Sequence, residues 1–167
     1  SYRRQGDTPG WWGPEQWNNG MPYKWGGFSS PEEFLSGIER GLAAGDIYTK
    51  QKRELLDDAV SREAVGIDCS GFVSRCWKLP RAYSTRELAS LCEPLSSWNA
   101  LRPGDLLNTH NIHCMMFAGW ADPLRSRVIV LEAGTLDAWK VIERDHDVAK
   151  LMSFGYRALR YRRMVEE

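Results

Sequence analysis

The chain has no excess of charge of either sign: among its 167 residues Lys+Arg and Asp+Glu each number 22. That balance argues against a nucleic-acid partner, because dedicated nucleic-acid binders carry a basic excess. Long apolar runs are also missing. Runs such as Val128 to Leu131 fall far short of the ~18 residues of a membrane span, so no integral membrane segment is expected. Cysteine and histidine are sparse, at positions 69, 76, 92 and 114 and at 110, 113 and 146. No Cys-x-x-Cys pair occurs, and the spacings match no zinc site. Two disulfides are arithmetically open, but a chain of this length can build a core without them. No repeat, low-complexity tract or interdomain linker interrupts the chain. It begins with Ser1 and shows no leading apolar segment, so any export signal is expected to have been removed already.

What is present is a globular composition, 43% hydrophobic and 26% charged, at a length that fits one domain spanning 1–167. The opening stretch to residue 27 reads as irregular, and 1–21 is an aromatic-rich lead whose glycines and prolines forbid a long helix. Residues 28–65 read as a helical insertion. Ser30 precedes Pro31, Glu32 and Glu33, giving a cap, a proline at the first helical position and acids in the first turn. Phe34, Leu35, Ile38 and Leu42 then recur at helical spacing until Gly45-Asp46. A second piece, about Tyr48 to Glu63, places Leu55, Leu56, Ala59 and Val60 on one face. A short helix follows over about 70–79, with Phe72, Val73, Cys76 and Trp77 on its apolar side and Ser74, Arg75 and Lys78 on the other. Ser84 and Glu87 fit a capping box for another helix running to about Cys92. After Pro103-Gly104 the period changes to two, with strands near 105–108, 112–119, 127–133, 139–143 and 155–162. Helices first and strands second indicate an α+β fold with an antiparallel sheet of about five strands.

The chemistry gathers at Gly66-Ile67-Asp68-Cys69-Ser70-Gly71-Phe72-Val73. Cys69 falls at the first turn of a helix, where unpaired N–H groups and the helix dipole favour a thiolate, the nucleophilic form. A buried structural thiol is the alternative, and Cys76 and Cys92 are read as core thiols of that kind. A thiolate needs a base, and His113 opens a period-two segment with Cys114 on the opposite face of the strand. His110 falls in the loop leading into that strand, and His146 in a charged stretch read as a solvated loop. If 112–119 and 127–133 form a hairpin, one symmetric register pairs positions that sum to 245. His113 then faces Glu132, Met115 faces Val130 and Phe117 faces Val128, all on one face. An acid in so apolar a strand needs a partner if its face is covered, and a carboxylate behind an imidazole favours the protonated ring. An edge-strand or solvent-facing acid is the other reading of Glu132. Failing Glu132, Asn108 and Asn111 are the nearest polar candidates for that third place.

Five motifs occur in order: Pro22-Tyr23-Lys24-Trp25-Gly26-Gly27, Asp68-Cys69-Ser70-Gly71-Phe72-Val73, Leu79-Pro80-Arg81, Leu101-Arg102-Pro103-Gly104-Asp105-Leu106, and His113 before Phe117-Ala118-Gly119. Together they resemble the NlpC family of papain-like cysteine peptidases, which cut bacterial cell-wall stem peptides. The resemblance runs from about residue 22 to 133. It implies Cys69 as nucleophile and His113 as general base, on a helix packed against an antiparallel sheet. Glu132 takes the family's third catalytic position, where His, Asn or Gln is usual. It further implies Tyr23, Asp68, Ser70 and Ser84 as substrate contacts, Thr85 competing with Ser84 for the match. Asp68 as a plain helix cap and Tyr23 as packing are the other readings. The family's link between the first two motifs is short, whereas Gly27 and Asp68 stand 41 positions apart. The insertion between them is either a cap shaping a cleft or an outlying helical pair. Of the eight tryptophans, Trp11, Trp12 and Trp17 remain cleft or glycan-stacking candidates, and packing accounts for Trp25 and Trp77.

The expected activity is a cysteine peptidase or amidase without metal or organic cofactor. It would hydrolyse peptidoglycan stem peptides as a D-Glu–diamino acid endopeptidase, outside the cytoplasm. Acyl transfer by the same residues, or a catalytically silent cell-wall-binding module, are the rivals.

Overall fold

The computed structural model describes residues 17–135 and 138–164. Most of the aromatic lead, with Trp11 and Trp12, lies outside the described residues, and Trp17 is fully exposed. Among the described residues no helix is long and apolar enough to cross a membrane.

The fold is α+β, built on a six-stranded antiparallel sheet with one more strand than the periodicity indicates. Its strands are β3 (Cys92–Pro94), β4 (Leu106–Thr109), β5 (His113–Trp120), β6 (Arg127–Thr135), β7 (Ala138–Asp147) and β8 (Arg157–Tyr161), in spatial order β3-β8-β4-β5-β6-β7. The additional strand is β3, a three-residue edge ending in Pro94, too short to carry an alternation of its own. Both sheet faces are covered. On one, Val73 of α3 (Cys69–Cys76) and Leu88 of α4 (Thr85–Ser90) pack onto Cys92, Leu106, Cys114, Met116 and Leu159. On the other, Met115, Phe117, Val128 and Val130 pack with Leu151 of α5 (Val148–Ser153). Each such side chain contributes about 1.5–3 kcal/mol on burial.

The hairpin register differs from the symmetric one. Phe117 pairs with Val130 and Met116 with Leu131, so paired positions sum to 247, and beyond a bulge between Phe117 and Gly119 to 248. Before the bulge the shift is two, which leaves the side chains there on their expected face, because strand side chains alternate with period two. His113 and Glu132 are therefore diagonal neighbours on one face rather than directly opposite.

The 28–65 segment is not purely helical. Ser30 caps α1 (Pro31–Glu39) in a capping box with Glu33, but the helix stops four residues before Ala43. Ala43–Ala44 (β1) and Ala64–Val65 (β2) then form a parallel pair that closes the neck of the insertion. Two-residue strands carry no periodic signal, so only the folded chain reveals them. α2 (Lys50–Leu55) is short, because Leu56 adopts φ 50° and the chain continues as a 3₁₀ turn to Ala59. Leu55 and Leu56, expected on a packed face, are about half exposed. Arg75 of α3 anchors the insertion, donating to the Phe28 carbonyl at 2.7 Å and pairing with Glu33.

Two further expectations are corrected on α3. Cys76 is exposed rather than a core thiol, and Ser74 on the supposed polar side is fully buried. Ser74 stays satisfied by donating to the Ser70 carbonyl at 2.7 Å and accepting from the Tyr83 N–H at 3.1 Å. Cys92 is buried as expected.

Candidate active site

Asp68 is the N-cap of α3, accepting from the Gly71 N–H at 2.6 Å, and Ser70 Oγ donates to the same oxygen at 3.2 Å. The cap fixes the first turn of α3 and with it Cys69. A Cβ on Gly71 would lie 2.0 Å from the Gly27 carbonyl oxygen, so two motifs distant in sequence interlock through backbone that only glycine allows.

Cys69, half-buried, packs against the cluster that holds Cys114. The neighbouring Cys114 thiol and His113 ring hold its pKa well below the ordinary thiol range despite desolvation. His113 is pulled the other way. Burial alone would lower its pKa, but the negative Cys69 sulfur, a hydrogen bond to it and the Glu132 carboxylate carry it up to about 10. Both shifts favour a thiolate–imidazolium pair at neutral pH.

Glu132 has 2% of its side chain exposed, and its Oε2 lies 2.9 Å from His113 Nε2. This contact takes one ring nitrogen, leaving Nδ1 for the cysteine. Its other oxygen, Oε1, lies 3.0 Å from His146 Nε2. Burial acts to raise the Glu132 pKa, but hydrogen bonds from His113 and His146 bring it down to about 2. His146 is therefore not in a solvated loop but in β7. The signal that could have found it is alternation along β7, which puts His146, Arg144 and Ile142 on the face that carries Val128, Val130 and Glu132. His110 sits in the exposed turn between β4 and β5.

Cys69 and His113 open onto a cleft of about 610 Å³. Tyr23, Asp68, Ser70, Ser84 and Thr85 all line it. Tyr23 is buried, its N–H bonded to the Trp139 carbonyl at 2.8 Å, and burial followed by the negative Cys69 and Asp68 pushes its phenol pKa up. Its ring fits because residue 134 is glycine at φ 86°, where a Cβ would sit 2.4 Å from the Tyr23 ring. Asp68 is raised to about 7, by burial first and by the Cys69 charge second, against hydrogen bonds from Gly71, Ser70 and Gly26. Ser84 caps α4 in the expected box with Glu87.

The insertion supplies the facing wall with Tyr48, Arg53, Leu56, Asp57 and Val60. The Tyr48 ring stacks parallel to that of Trp139 at 6.3 Å, and Trp25 donates its indole N–H to the Leu56 carbonyl at 3.0 Å. Arg53 donates to the carbonyl of Asn111, tying the insertion to the turn before His113. The Trp139 and Arg53 contributions depend on nonlocal docking, which no local sequence pattern reports. Trp77 packs as expected, stacked on Tyr161 at 4.7 Å.

No family model matches the chain, and no curated protein is similar to it at a significant level.

Proposed function

We propose that the chain is a papain-like cysteine peptidase or amidase acting on peptidoglycan stem peptides, as a D-Glu–diamino acid endopeptidase. The observation that carries this reading is the convergence of Cys69, at the start of α3, with His113 and its buried partner Glu132. The NlpC resemblance of the motifs supplies the substrate class.

In this reading the Cys69 thiolate attacks the amide carbonyl, and a C–S bond forms. The oxyanion is met by N–H groups of the first turn of α3, including that of Cys69, which have no carbonyl partner within the helix. The His113 imidazolium gives its proton to the departing amine as the C–N bond breaks, leaving a thioester. Neutral His113 next takes a proton from water, whose oxygen displaces the sulfur and releases the carboxylate product. Glu132 holds the ring and favours its protonated form throughout. The insertion acts as a cap on the cleft, and the substrate class places the protein outside the cytoplasm.

Incubation with defined stem peptides, followed by mass spectrometry against a Cys69→Ala control, tests the reading. Gain of one water at a single amide bond, absent in the control, is the expected result. Gain of an amine nucleophile instead would indicate acyl transfer. Intact peptides, together with no preferential alkylation of Cys69, would leave a binding module.

A further inference from the structure

Cys114 has no role in this mechanism, yet it is fully buried beside the nucleophile. Strand alternation turns its side chain to the sheet face that α3 covers, away from Met115 and Phe117. Cys69, at the start of α3, packs onto the same cluster, which brings its side chain beside that of Cys114. The remaining thiols lie elsewhere: Cys76 is exposed at the end of α3, and Cys92 is buried in β3 with its S–H on the Leu88 carbonyl at 3.2 Å.

We propose that Cys69 and Cys114 form a redox-active dithiol whose oxidant is a peroxide, with Cys69 as the attacking thiol and Cys114 as the resolving one. The Cys69 thiolate opens onto the cleft and attacks one peroxide oxygen: an S–O bond forms, the O–O bond breaks, and hydroxide leaves. The product is the Cys69 sulfenic acid. The Cys114 sulfur then attacks the Cys69 sulfur, the S–S bond forms, and the S–O bond breaks. The Cys114 proton leaves with the hydroxide as water. Overall, two thiols and one peroxide give one disulfide and two waters. Cys69 is the nucleophile because its contacts favour the anion, whereas burial and the neighbouring Cys69 charge keep the proton on Cys114. The disulfide removes the nucleophile from the cleft, and a thiol reductant restores it. Outside the cytoplasm, where disulfides persist, the oxidised chain is the resting form and reduction is its activation.

The test uses the whole chain, reduced and then freed of reductant. It is treated with a few equivalents of hydrogen peroxide, denatured, blocked with N-ethylmaleimide and mapped by mass spectrometry. The expected result is a cross-linked pair of peptides carrying Cys69 and Cys114, with Cys76 and Cys92 still blocked by maleimide. Dithiothreitol restores all four thiols and the alkylation of Cys69. In Cys114→Ser the same dose should carry Cys69 on to the sulfinic acid several-fold faster, beyond rescue by dithiothreitol. Should that variant fail to fold, the cross-link map of the unmodified chain decides alone. Sulfinic acid at Cys69 in the unmodified chain without a cross-link, or a cross-link from Cys69 to Cys76 or Cys92, would overturn the proposal. None of these readouts needs a peptide substrate. A cross-link in the oxidised chain with no hydrolysis of stem peptides by the reduced chain would sink the peptidase reading and leave the dithiol standing, and hydrolysis by the reduced chain without a cross-link on oxidation would do the reverse.

Discussion

His146 Nε2 lies 3.0 Å from Glu132 Oε1, on the carboxylate oxygen that His113 leaves free. The carboxylate is thus held from both sides, each oxygen matched to one imidazole. A buried acid with a single donor could rotate; one with two is fixed in the plane that meets His113. His146 is in this sense a positioning residue, acting on His113 through Glu132.

The Glu132 site yields the first prediction. Glu132→Gln keeps the size and one acceptor oxygen but removes the charge that supports the imidazolium. A hydrogen bond to a charged group is worth about 1.5–3 kcal/mol, so kcat/KM should fall on the order of 10- to 100-fold. Glu132→Ala should fall further, because the ring also loses its anchor. His146→Gln, which can still donate to Oε1, should cost several-fold less than His146→Ala. Alkylation of Cys69 by iodoacetamide should slow in the same order in all four variants. Equal rates in wild type and Glu132→Gln would remove the carboxylate from the relay.

The second prediction concerns pH. The Cys69 pKa is lowered and that of His113 is raised to about 10, so the ion pair spans neutral pH. Below the Cys69 pKa the sulfur is protonated, and hydrolysis and alkylation should fall together. Above about 10, His113 loses the proton that the leaving amine needs while the thiolate remains. Hydrolysis should then fall while alkylation holds level. Stability follows the same shifts. The raised His113 contributes fully below its ordinary pKa near 6.5 and loses that contribution as pH climbs through about 10. The lowered Glu132 contributes above 4.5 and loses its share as pH falls toward 2. Parallel pH profiles for hydrolysis and alkylation on the alkaline side would contradict the assignment of His113 as the acid.

Much of this site was legible before folding, for identifiable reasons. The cap at Asp68 and the helix start at Cys69 are local, and local rules place them. Strand parity joins His113 to Glu132, and because parity survives a register shift of two, the pair stays on one face although the pairing differs. Parity likewise sets Cys114 on the face opposite His113, but no local pattern reports that α3 lays Cys69 across it. His146 escapes a local reading because β7 runs to Asp147, through a charged stretch that reads as solvent-facing. Cys76 departs from the apolar stripe because α3 ends there, and the last turn of a helix need not follow its stripe into the core. The β1–β2 pair joins Ala43 to Ala64, an encounter of distant small residues without any pattern.

Asp68 separates two roles in a third prediction. Its carboxyl is raised to about 7, so near neutrality it is only partly ionised. If it receives the free amino end of a peptide, the preference for that peptide over its N-acetylated form should grow as pH rises through about 7. The preference should fade above about 8, where the amine itself loses its proton. Asp68→Asn is the informative variant, since asparagine caps a helix as well as aspartate does. It should keep the melting temperature within a few degrees and lose most of the preference. A preference that is flat with pH and untouched by Asp68→Asn would confine Asp68 to capping α3.

The last prediction is about stability at the Pro103-Gly104-Asp105 turn. Asp105 is fully buried, accepting from the Arg102 N–H at 2.8 Å and from Arg160 through Nε at 2.9 Å and Nη2 at 2.7 Å. Arg160 also donates to the Ala100 carbonyl at 2.7 Å, so one guanidinium joins β8 to the chain on either side of the turn that starts β4. Removing one member of a buried pair leaves the other charge uncompensated, at about 3–5 kcal/mol. Because Arg160 retains 27% exposure and can recover some water, Asp105→Ala should sit near the lower end, about 3 kcal/mol. For a chain of this size that lowers Tm by roughly 6–12 °C. Asp105→Leu combined with Arg160→Leu removes both charges together and should recover part of the loss. Asp105 lies outside the cleft, so alkylation of Cys69 per folded molecule should stay at the wild-type rate below the new Tm. Slower alkylation of fully folded Asp105→Ala would show that the turn also positions the strand on which His113 sits, since β4 pairs Thr109 directly with His113.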